Sequence, residues 1–298
     1  GYHAKYRRCV NSAFSMSSLV NYEPLVDSTT DAFIEQTQKR YLETGKTCDF
    51  AQWLQFFAFD VIGDLTWSKR LGFVENNKDV DGIVDFIGRF LAYAGPVGQM
   101  PLLDMVWQKN PVRLADETSG KGVDLLTKFT QAQHDHPEFM TDQQVLASCN
   151  SMVFAGSETT AISLSSVFYN LVKHPKAYKK LMEELDDAAR SGAITEKAYH
   201  KVGWKESQTL PFLDAVIQES FRLHPAPGLI LERIVPPQGM DVLGEHIPGG
   251  TIVGCNAWVV HRRPEIFGED VDVFRPERWL EASPAQLKEM KATMFQFG

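Results

Sequence analysis

The sequence predicts a mainly α-helical fold with a small β-sheet late in the chain. Up to about residue 224, apolar residues recur at mixed three- and four-residue spacing, which is typical of amphipathic helices. From residue 229 to 262, short β-branched runs alternate with proline and glycine, which is typical of short strands. The length of 298 residues, with 44% hydrophobic and 23% charged residues, suits a globular body, and we predict one domain over residues 1–298.

The best-defined predicted element is a helix from Thr141 to about Lys173. Thr141 and Gln144 form a capping-box pattern at its start, and Pro175 ends it because proline disfavours helix in the residue before it. At ~1.5 Å per residue the helix would span roughly 50 Å, so it should cross the middle of the protein. The other predicted helices cover residues 20–44, 50–66, 79–92, 121–135, 176–190, 211–224 and 284–292.

Glycine and proline mark the segments between these helices. Residues 93–112 contain Gly95, Pro96, Gly98 and Pro101, and we predict a loop there. The predicted strands, bounded by similar turn residues, cover residues 229–235, 240–242 and 251–253.

Composition and charge exclude several classes of protein. The formal net charge of −8 argues against nucleic-acid binding as a main function. Cys9, Cys48, Cys149 and Cys255 lie far apart and have neither zinc-ligand nor disulfide-framework spacing. No run approaches the ~20 apolar residues that a membrane span needs. Because the first residue is glycine and a helical pattern is already under way, we expect the natural protein to begin earlier.

The first motif with chemical potential lies inside the long helix, where residues 155–160 read Ala-Gly-Ser-Glu-Thr-Thr. Glycine costs roughly 1 kcal/mol relative to alanine inside a helix, and such departures from local preference concentrate at functional sites. Gly156 would let a flat ligand approach the backbone, and Glu158 beside Thr159 could pass protons to that ligand. The alternative is a close helix–helix crossing at Gly156, with Glu158 in a structural ion pair.

Two further motifs place charges where they could meet. Glu219 and Arg222 share one helical face among apolar residues, and a buried pair of this kind must be fully hydrogen-bonded. Pro276 prevents regular helix, so Arg278 would sit on an irregular turn and could join the pair as a third charge. Taken alone, the first spacing arises often by chance, and the second motif is better explained as an ordinary surface turn.

The fourth motif is the basic start of the chain. His3 and Arg7 would share a helical face, and two donors on one face suit a carboxylate or a phosphate. Lys5 and Arg8 add positive charge there, and no acidic residue offsets it in the first eight positions. A solvated cationic helix end is the favoured alternative when the segment is taken alone.

In this order, the four motifs resemble the cytochrome P450 family, and the resemblance covers essentially the whole chain, from the family's C helix to the edge of its haem-binding loop. Residues 155–159 look like the oxygen-activation motif of the central I helix. Glu219 and Arg222 look like the K-helix pair, and residues 274–279 look like the segment whose arginine joins that pair. The general pattern of residues looks most like that of fungal members of the family that act in secondary metabolism or detoxification.

Two shorter segments extend the resemblance. The spacing of His3 and Arg7 is similar to the C-helix motif, in which tryptophan usually takes the place of the histidine. Residues 231–233 resemble the strand whose arginine contacts a haem propionate. The resemblance therefore implies the cytochrome P450 fold, a large helical domain around a long central helix, in a chain that stops before the haem-ligand cysteine loop.

The resemblance also implies a role for each matched residue. Glu158 and Thr159 would deliver protons to dioxygen so that its O–O bond breaks heterolytically, and Ala155 and Gly156 would leave room for oxygen above the porphyrin. The other implied roles are pairing with the haem propionates (His3, Arg7, Arg233), a structural triad behind the haem (Glu219, Arg222, Arg278) and the lining of the substrate pocket (Phe154, Gly228, Leu229, Ile230).

The chain departs from the family at its end. The family's haem-binding loop reads Phe-x-x-Gly-x-x-x-Cys-x-Gly, and Phe297 and Gly298 match its start and would contact the cofactor. The cysteine that binds iron would then fall about six residues beyond Gly298, and thiolate ligation is what favours O–O cleavage. None of the chain's own cysteines matches this motif, so we expect no metal ligand here and an inactive fragment.

For the parent protein the resemblance implies a haem-dependent monooxygenase of a small lipophilic substrate, using haem b, dioxygen and electrons from NADPH. Lys5 and Arg8 lie where family members dock NADPH–cytochrome P450 reductase. The family also implies the cytosolic face of the endoplasmic reticulum membrane, reached through an N-terminal anchor that is missing from this sequence.

Two alternatives remain open. The natural product could be a truncated, non-catalytic pseudoenzyme or a helical protein that binds a lipophile or a partner. Continuation of the reading frame past Gly298 with a cysteine in register would favour the monooxygenase instead. A helical scaffold with coincidental motifs is the other alternative, and it requires Glu219, Arg222 and Arg278 to lie far apart in the fold.

Overall fold

The computed structural model describes residues 2–99, 124–195 and 202–296, and these are mainly helical. The helices are α1 (Tyr2–Val10), α2 (Met16–Asn21), α3 (Glu23–Thr37), α4 (Phe50–Trp67), α5 (Phe73–Asn76), α6 (Ile83–Gln99), α7 (Leu125–Asp135), α8 (Asp142–Lys173), α9 (Pro175–Ser191), α10 (Trp204–Ser207), α11 (Pro211–Leu223), α12 (Ala257–Val260), α13 (Pro264–Phe267), α14 (Arg278–Glu281) and α15 (Pro284–Thr293). The strands are β1 (Leu231–Ile234), β2 (Met240–Val242), β3 (Glu245–Ile247) and β4 (Ile252–Cys255). No helix of this described part is long and apolar enough to cross a bilayer.

The predicted long helix is confirmed as α8, which has 32 residues. The backbone N–H of Gln144 donates to the Thr141 hydroxyl at 3.4 Å, which is the first half of the predicted capping box. At the other end, α8 stops one residue before His174, whose backbone N–H still bonds the carbonyl of Asn170 at 3.0 Å. The helix therefore starts and stops where the local capping chemistry predicts.

The predicted loop over residues 93–112 is wrong in its first part, because α6 continues to Gln99. Glycine and proline lower the stability of a helix without forbidding it, and tertiary packing can outweigh them. In α6 the side chain of Ile87 is buried, and the rings of Phe86 and Phe90 lie 6.2 and 6.1 Å from that of Phe154. Residues 100–112 lie outside the described residues.

The small sheet consists of separate antiparallel pairs rather than one sheet. Strand β1 pairs with β4, with Leu231 opposite Cys255, and β2 pairs with β3, with Met240 opposite Ile247. Strand β3 was not predicted. It follows β2 through a two-residue turn in which Leu243 (φ 52°) and Gly244 (φ 88°) are both left-handed. Leucine rarely adopts this conformation, so the sequence carries no ordinary hairpin signal there.

The chain divides into two compact units. One unit comprises Gly1–Ile162 and Thr195–Trp204, and the other comprises Ser163–Ile194 and Lys205–Gly298. The boundary within α8 falls between Ile162 and Ser163. The prediction of a single domain stays a prediction.

In the first unit, apolar side chains form two cores that α8 helps to build. Cys149 of α8 packs with Val10, Phe129 and Met140 in one core. Val153, one turn further along α8, belongs to the other, whose buried members also include Trp53, Phe56, Phe59, Phe73, Val74 and Ile87. The segment after Val153 is thus anchored by burial of the turns before it.

In the second unit, α11 contributes to two apolar clusters. Phe212 and Val216 pack with Leu171, Leu181 and Phe274. On the other cluster, Ala215 packs with Ile266, Phe267, Trp279 and Met290. Because both clusters include residues of α11, the helix is buried around most of its circumference, and its polar side chains must find partners within the protein.

Asp60 connects α4 to the turn that starts α5. Its carboxylate accepts backbone N–H groups from Gly72 at 2.7 Å, Phe73 at 3.2 Å and Val74 at 2.8 Å, and its side chain is fully buried. Burial raises the pKa of Asp60, and these hydrogen bonds offset part of that rise. The carboxylate thus satisfies donors that a short helix start leaves without intrahelical partners.

We expect Asp60→Ala to lower the free energy of unfolding by about 2–4 kcal/mol, because several buried N–H groups lose their acceptor together. The matched control is Asp49→Ala at the exposed start of α4, where the lost bond from Gln52 N–H (3.1 Å) should cost about 1 kcal/mol. Urea unfolding followed by circular dichroism measures both. Equal losses for the two variants would contradict the anchoring role of Asp60.

Candidate active site

The motif at residues 155–159 presents a small residue and a hydroxyl on one face of α8. Ala155 and Thr159 are both exposed, one turn apart. The Thr159 hydroxyl donates to the carbonyl of Ala155 at 2.5 Å. A threonine that bonds the carbonyl one turn back can turn its hydroxyl to another acceptor by rotating one side-chain bond. This face can therefore offer a hydroxyl to a ligand without any change of the backbone.

Glu158 lies on a half-buried side of the same turn. Its Oε1 accepts a hydrogen bond from Nε2 of Gln55 in α4 at 2.5 Å. Burial raises the pKa of Glu158, and the bond from Gln55 lowers it in part. Among the described residues the partner of Glu158 is a neutral amide, and none of them forms the structural ion pair that the sequence left open. A carboxyl with a raised pKa holds its proton more readily than an exposed one and can donate it.

Gly156 faces a neighbouring helix. A Cβ atom built on Gly156 would lie 2.8 Å from Cδ1 of Ile62 in α4, which is too close for real carbon atoms. The structure therefore supports the close helix–helix crossing that the sequence left open as the alternative. The space next to this residue is taken by Ile62, and the predicted room for oxygen at Gly156 stays a prediction. Ala155 keeps the exposed position that its predicted role requires.

The basic motif lies on α1, which is fastened to the first half of α8. The Tyr2 hydroxyl donates to Oε1 of Gln144 at 2.8 Å, and the hydroxyls of Tyr6 and Ser148 are 2.7 Å apart. The side chains of His3, Lys5, Arg7 and Arg8 are exposed.

His3 and Arg7, the predicted anion-binding pair of α1, lack an acidic partner in the part of the chain that the structure describes. Within residues 2–99, 124–195 and 202–296, neither His3 nor Arg7 forms an ion pair. Exposed donors that share one helical face and have no carboxylate partner suit an anionic group such as a propionate.

The second unit contains a buried charge cluster around Glu219, and this confirms the proximity of the three residues predicted as a triad. Glu219 is fully buried on α11, and its Oε1 lies 2.9 Å from both Nη2 of Arg222 and Nε of Arg278. Its Oε2 accepts from Nε of Arg222 at 2.9 Å. A helical scaffold with coincidental motifs would require these three residues to lie far apart. Because their side chains meet, the structure contradicts that alternative.

Other donors complete the shell of Glu219. The backbone N–H of Arg275 donates to Oε1 at 3.0 Å, and the indole N–H of Trp279 donates to Oε2 at 3.0 Å. Burial alone would raise the pKa of Glu219, but the hydrogen bonds and charges of Arg222 and Arg278 outweigh burial and lower it. The carboxylate is thus held in its ionised form.

The two arginines donate their remaining N–H groups to backbone carbonyls and to the Asp270 carboxylate. Arg222 donates Nη1 to the carbonyls of Val271 at 2.6 Å and His261 at 3.1 Å. Arg278 donates Nη1 to Asp270 Oδ1 at 2.9 Å, and this second carboxylate balances the second positive charge. Burial would raise the pKa of Asp270, but its bonds to Arg278 and Arg275 lower it. The cluster therefore joins the carboxylates of Glu219 and Asp270 to the cations Arg222, Arg275 and Arg278, and Arg275 also pairs with Glu281 at 2.6 Å.

Sequence reasoning missed several members of this neighbourhood. Trp279 belongs to the motif at residues 274–279, but no role was predicted for it, although a buried indole N–H needs an acceptor. Asp270 had no signal, because an acidic residue in an irregular segment is ordinarily solvated. His261 is fully buried, accepts the Phe295 N–H at Nε2 at 3.1 Å and was not singled out. Gln55 lies 103 residues from Glu158 in sequence, so no local pattern could join them.

The remaining predicted site residues are distributed over both units. Arg233 on β1 is exposed and donates to the neighbouring carbonyl of Glu232 at 2.8 Å. Leu229 and Ile230 in the same unit are exposed, while Phe154 in the other unit is half-buried. The predicted cofactor contacts of Phe297 and Gly298 lie outside the described residues. These assignments stay predictions.

The residues present fit a haem group at the positions the family pattern predicts. Exposed His3 and Arg7 offer donors for its carboxylates, and the exposed turn from Ala155 to Thr159 offers a small side chain and a hydroxyl. Burial raises the pKa of the Cys149 thiol to about 11, which disfavours the thiolate form. In the described part of the chain, no group of three or more His, Cys, Asp or Glu side chains is arranged to hold a metal ion.

Comparison with known proteins gives consistent matches along the whole chain. The family model described as Cytochrome P450 matches residues 2–117 and 100–298. A cytochrome P450 monooxygenase of Aspergillus terreus is 39% identical, covering 99% of this chain and 65% of that protein. The cytochrome P450 monooxygenase cicH of Emericella nidulans is 37% identical, covering 99% of this chain and 63% of that protein. The chain thus spans less than two thirds of the length of these curated relatives.

A solved structure shows the same fold. A zebrafish cytochrome P450, determined with abiraterone, superposes with a TM-score of 0.73, covering 100% of this chain and 67% of that chain, at 21% sequence identity. The predicted fold class, mainly helical with a long helix and a small amount of antiparallel sheet late in the chain, is therefore confirmed.

We expect Glu219→Gln to lower the free energy of unfolding by about 3–5 kcal/mol, because it leaves two buried arginines facing a neutral amide. Glu277→Gln is the matched control, since it makes the same chemical change in a partly exposed pair with Lys180 (3.2 Å) and should cost less than about 1 kcal/mol. Chemical unfolding of both variants is the measurement. Similar losses of unfolding free energy in the two variants would show that burial does not make the Glu219 pair more important for stability than the Glu277 pair.

Proposed function

We propose that this chain, which belongs to the cytochrome P450 family, is the central part of a haem-dependent monooxygenase that oxidises a small lipophilic molecule with dioxygen. The observation that carries the proposal is the turn of α8 at Ala155, Glu158 and Thr159. There a half-buried carboxyl with a raised pKa stands beside an exposed hydroxyl and an exposed small residue. The fungal monooxygenase relatives and the family match support the same general activity.

His3, Arg7 and Arg233 would hold the haem b propionates by charge-assisted hydrogen bonds. The iron ligand would be a cysteine that follows Gly298 in the longer protein, in the register of the family's loop. Haem, when bound, supplies the activation of dioxygen, which thiolate ligation favours. Glu219, Arg222 and Arg278 would not touch the reacting atoms, and their part is to fix the backbone from residue 270 to 279.

Proton supply is the task that this chain's own residues would perform. Glu158 can hold a proton at Oε2, because only Oε1 accepts from Gln55. Thr159 can accept that proton through its hydroxyl oxygen and donate its own proton outward from the exposed face. Because adjacent residues on a helix do not face each other, a water molecule would have to join the Glu158 carboxyl to the Thr159 hydroxyl.

A lipophilic substrate is supported by aromatic side chains next to this turn. Phe154 precedes Ala155 and packs edge-on against Phe86 and Phe90 of α6, with ring centroids 6.2 and 6.1 Å apart. Phe90 is 46% exposed, so part of this aromatic surface is open to a ligand. Sites for small molecules are lined mostly by apolar and aromatic groups, with a few polar groups that set orientation.

The electron donor would be NADPH, acting through NADPH–cytochrome P450 reductase. Support comes from the exposed cations Lys5 and Arg8 on α1, which suit an acidic partner surface. By family analogy we place the whole protein on the cytosolic face of the endoplasmic reticulum and its pathway in fungal secondary metabolism. Fluorescence microscopy of the tagged full-length protein tests the location, and a cytosolic signal would contradict it.

The first test is the carbon-monoxide difference spectrum of the reduced protein, extended through the full haem-binding loop, with the 298-residue chain beside it. We expect the Soret band of a thiolate-ligated haem in the extended protein only. Absence of that band in the extended protein would overturn the monooxygenase and favour a non-catalytic pseudoenzyme that binds a lipophile or a partner.

A second test concerns Glu158. We expect Gln55→Leu to raise the pKa of Glu158 further, because the hydrogen bond that lowers it is lost. The carboxyl then keeps its proton to higher pH, so the alkaline fall in oxygen consumption should move to higher pH in the reductase-coupled holoenzyme. Gln52→Leu, an exposed change on the same helix, is the control and should leave the profile in place. An unchanged profile in Gln55→Leu would remove Glu158 from proton delivery.

A further inference from the structure

His261 occupies a buried position next to the charge cluster of the second unit. It follows α12, its backbone N–H bonds the carbonyl of Ala257 at 2.9 Å, and its own carbonyl accepts Nη1 of Arg222 at 3.1 Å. The residue is 0% exposed. The backbone N–H of His261 is therefore fixed by the end of α12, and its carbonyl is fixed by the buried Arg222.

The imidazole ring reaches a separate part of the chain. Nε2 accepts the backbone N–H of Phe295 at 3.1 Å, and the two rings lie edge to face with centroids 5.3 Å apart. Phe295 stands two residues beyond the end of α15 and two residues before Phe297, where the sequence begins to match the haem-binding loop. His261 thus connects the charge cluster to the entry of that loop.

The state of the ring follows from these contacts. Nε2 can accept a hydrogen bond only when it carries no proton, so the proton of the neutral ring sits on Nδ1. Burial, together with the charges of Arg222 and Arg262, lowers the pKa of His261 to about 4, which keeps the ring neutral. Nδ1 forms no hydrogen bond of ordinary geometry with the described residues, although the backbone carbonyls of Arg222 and Phe221 lie near enough to the ring to raise the pKa of His261 in part.

Packing alone does not require a histidine at this position. A buried polar atom without a well-formed hydrogen bond destabilises the protein, and an apolar side chain of similar volume would avoid that cost. The feature that an apolar side chain cannot reproduce is the acceptor at Nε2. We therefore attribute the presence of an imidazole here to its hydrogen bond with the Phe295 N–H.

We propose that His261 is a positioning residue that fixes the backbone at Phe295 and so orients the start of the haem-binding loop. The proposal rests on the proposed function for the meaning of that loop. Through its carbonyl bond to Arg222, His261 links the Glu219–Arg222–Arg278 cluster to the loop that follows Phe295.

The test compares two amide variants in the full-length holoenzyme. In His261→Gln the side-chain oxygen can reach the place of Nε2 and accept the Phe295 N–H, whereas in His261→Asn the shorter side chain cannot. Both variants keep a polar amide in the same buried site, so their general effects on folding are matched. His174→Asn is the control, because it changes a half-buried histidine of the same unit that bonds the Asn170 carbonyl instead.

The readouts are the rate of haem transfer to apomyoglobin and the fraction of the carbon-monoxide complex that is thiolate-ligated. We expect His261→Asn to accelerate haem loss about tenfold, the factor that one ordinary buried hydrogen bond supplies, and to lower the thiolate-ligated fraction. His261→Gln and His174→Asn should stay within about twofold of the unsubstituted protein, which is inside the spread of such energies.

Two results would overturn the proposal: equal haem loss in the Gln and Asn variants, or no acceleration in His261→Asn. Failure of the proposed function is a separate outcome, visible as absence of the thiolate-ligated band in the unsubstituted protein. Hydrogen exchange of the Phe295 amide would then decide the positioning claim on its own. Protection that is lost in His261→Asn and kept in His261→Gln supports the claim, and equal protection in both contradicts it.

Discussion

Burial of the Glu219 carboxylate is the constraint on which the architecture of the second unit depends. An ionised carboxylate cannot leave water unless hydrogen bonds and positive charges replace its hydration. Here the replacements come from Arg222 on the same helix and from Arg275, Arg278 and Trp279, which lie more than 50 residues later in the chain. The late segment must therefore fold against α11 in one particular way.

This constraint explains how a stretch with little regular structure acquires a defined conformation. From residue 264 to 281 the chain forms only four-residue helices, α13 and α14, which could not hold their shape alone. The arginine side chains bond the carbonyls of Phe267, Asp270, Val271 and Val273 along this stretch. Charged side chains thus take over the role that backbone ladders play elsewhere, and apolar clusters on α11 exclude the water that would compete.

The sequence predicted the parts of this structure that local chemistry controls. The long helix α8 was found with its ends because apolar periodicity, a capping box and a following proline all act within a few residues. The hairpin of β2 and β3 was missed because Leu243 adopts a left-handed conformation that its side chain disfavours. At the site, the Glu219 cluster was predictable from spaced motifs, whereas Gln55 and His261 depend on contacts between distant segments. Such pairings arise from tertiary packing and leave no local pattern.

Because Gly156 contacts Ile62, the space between them can hold only one of the two side chains. Helices α4 and α8 approach so closely there that any side chain on the glycine would displace the isoleucine. In related chains, a larger residue at the position of Gly156 should accompany a smaller one at the position of Ile62. Variation at Gly156 would then reflect the packing of α4 against α8 as well as the proposed chemistry of this turn.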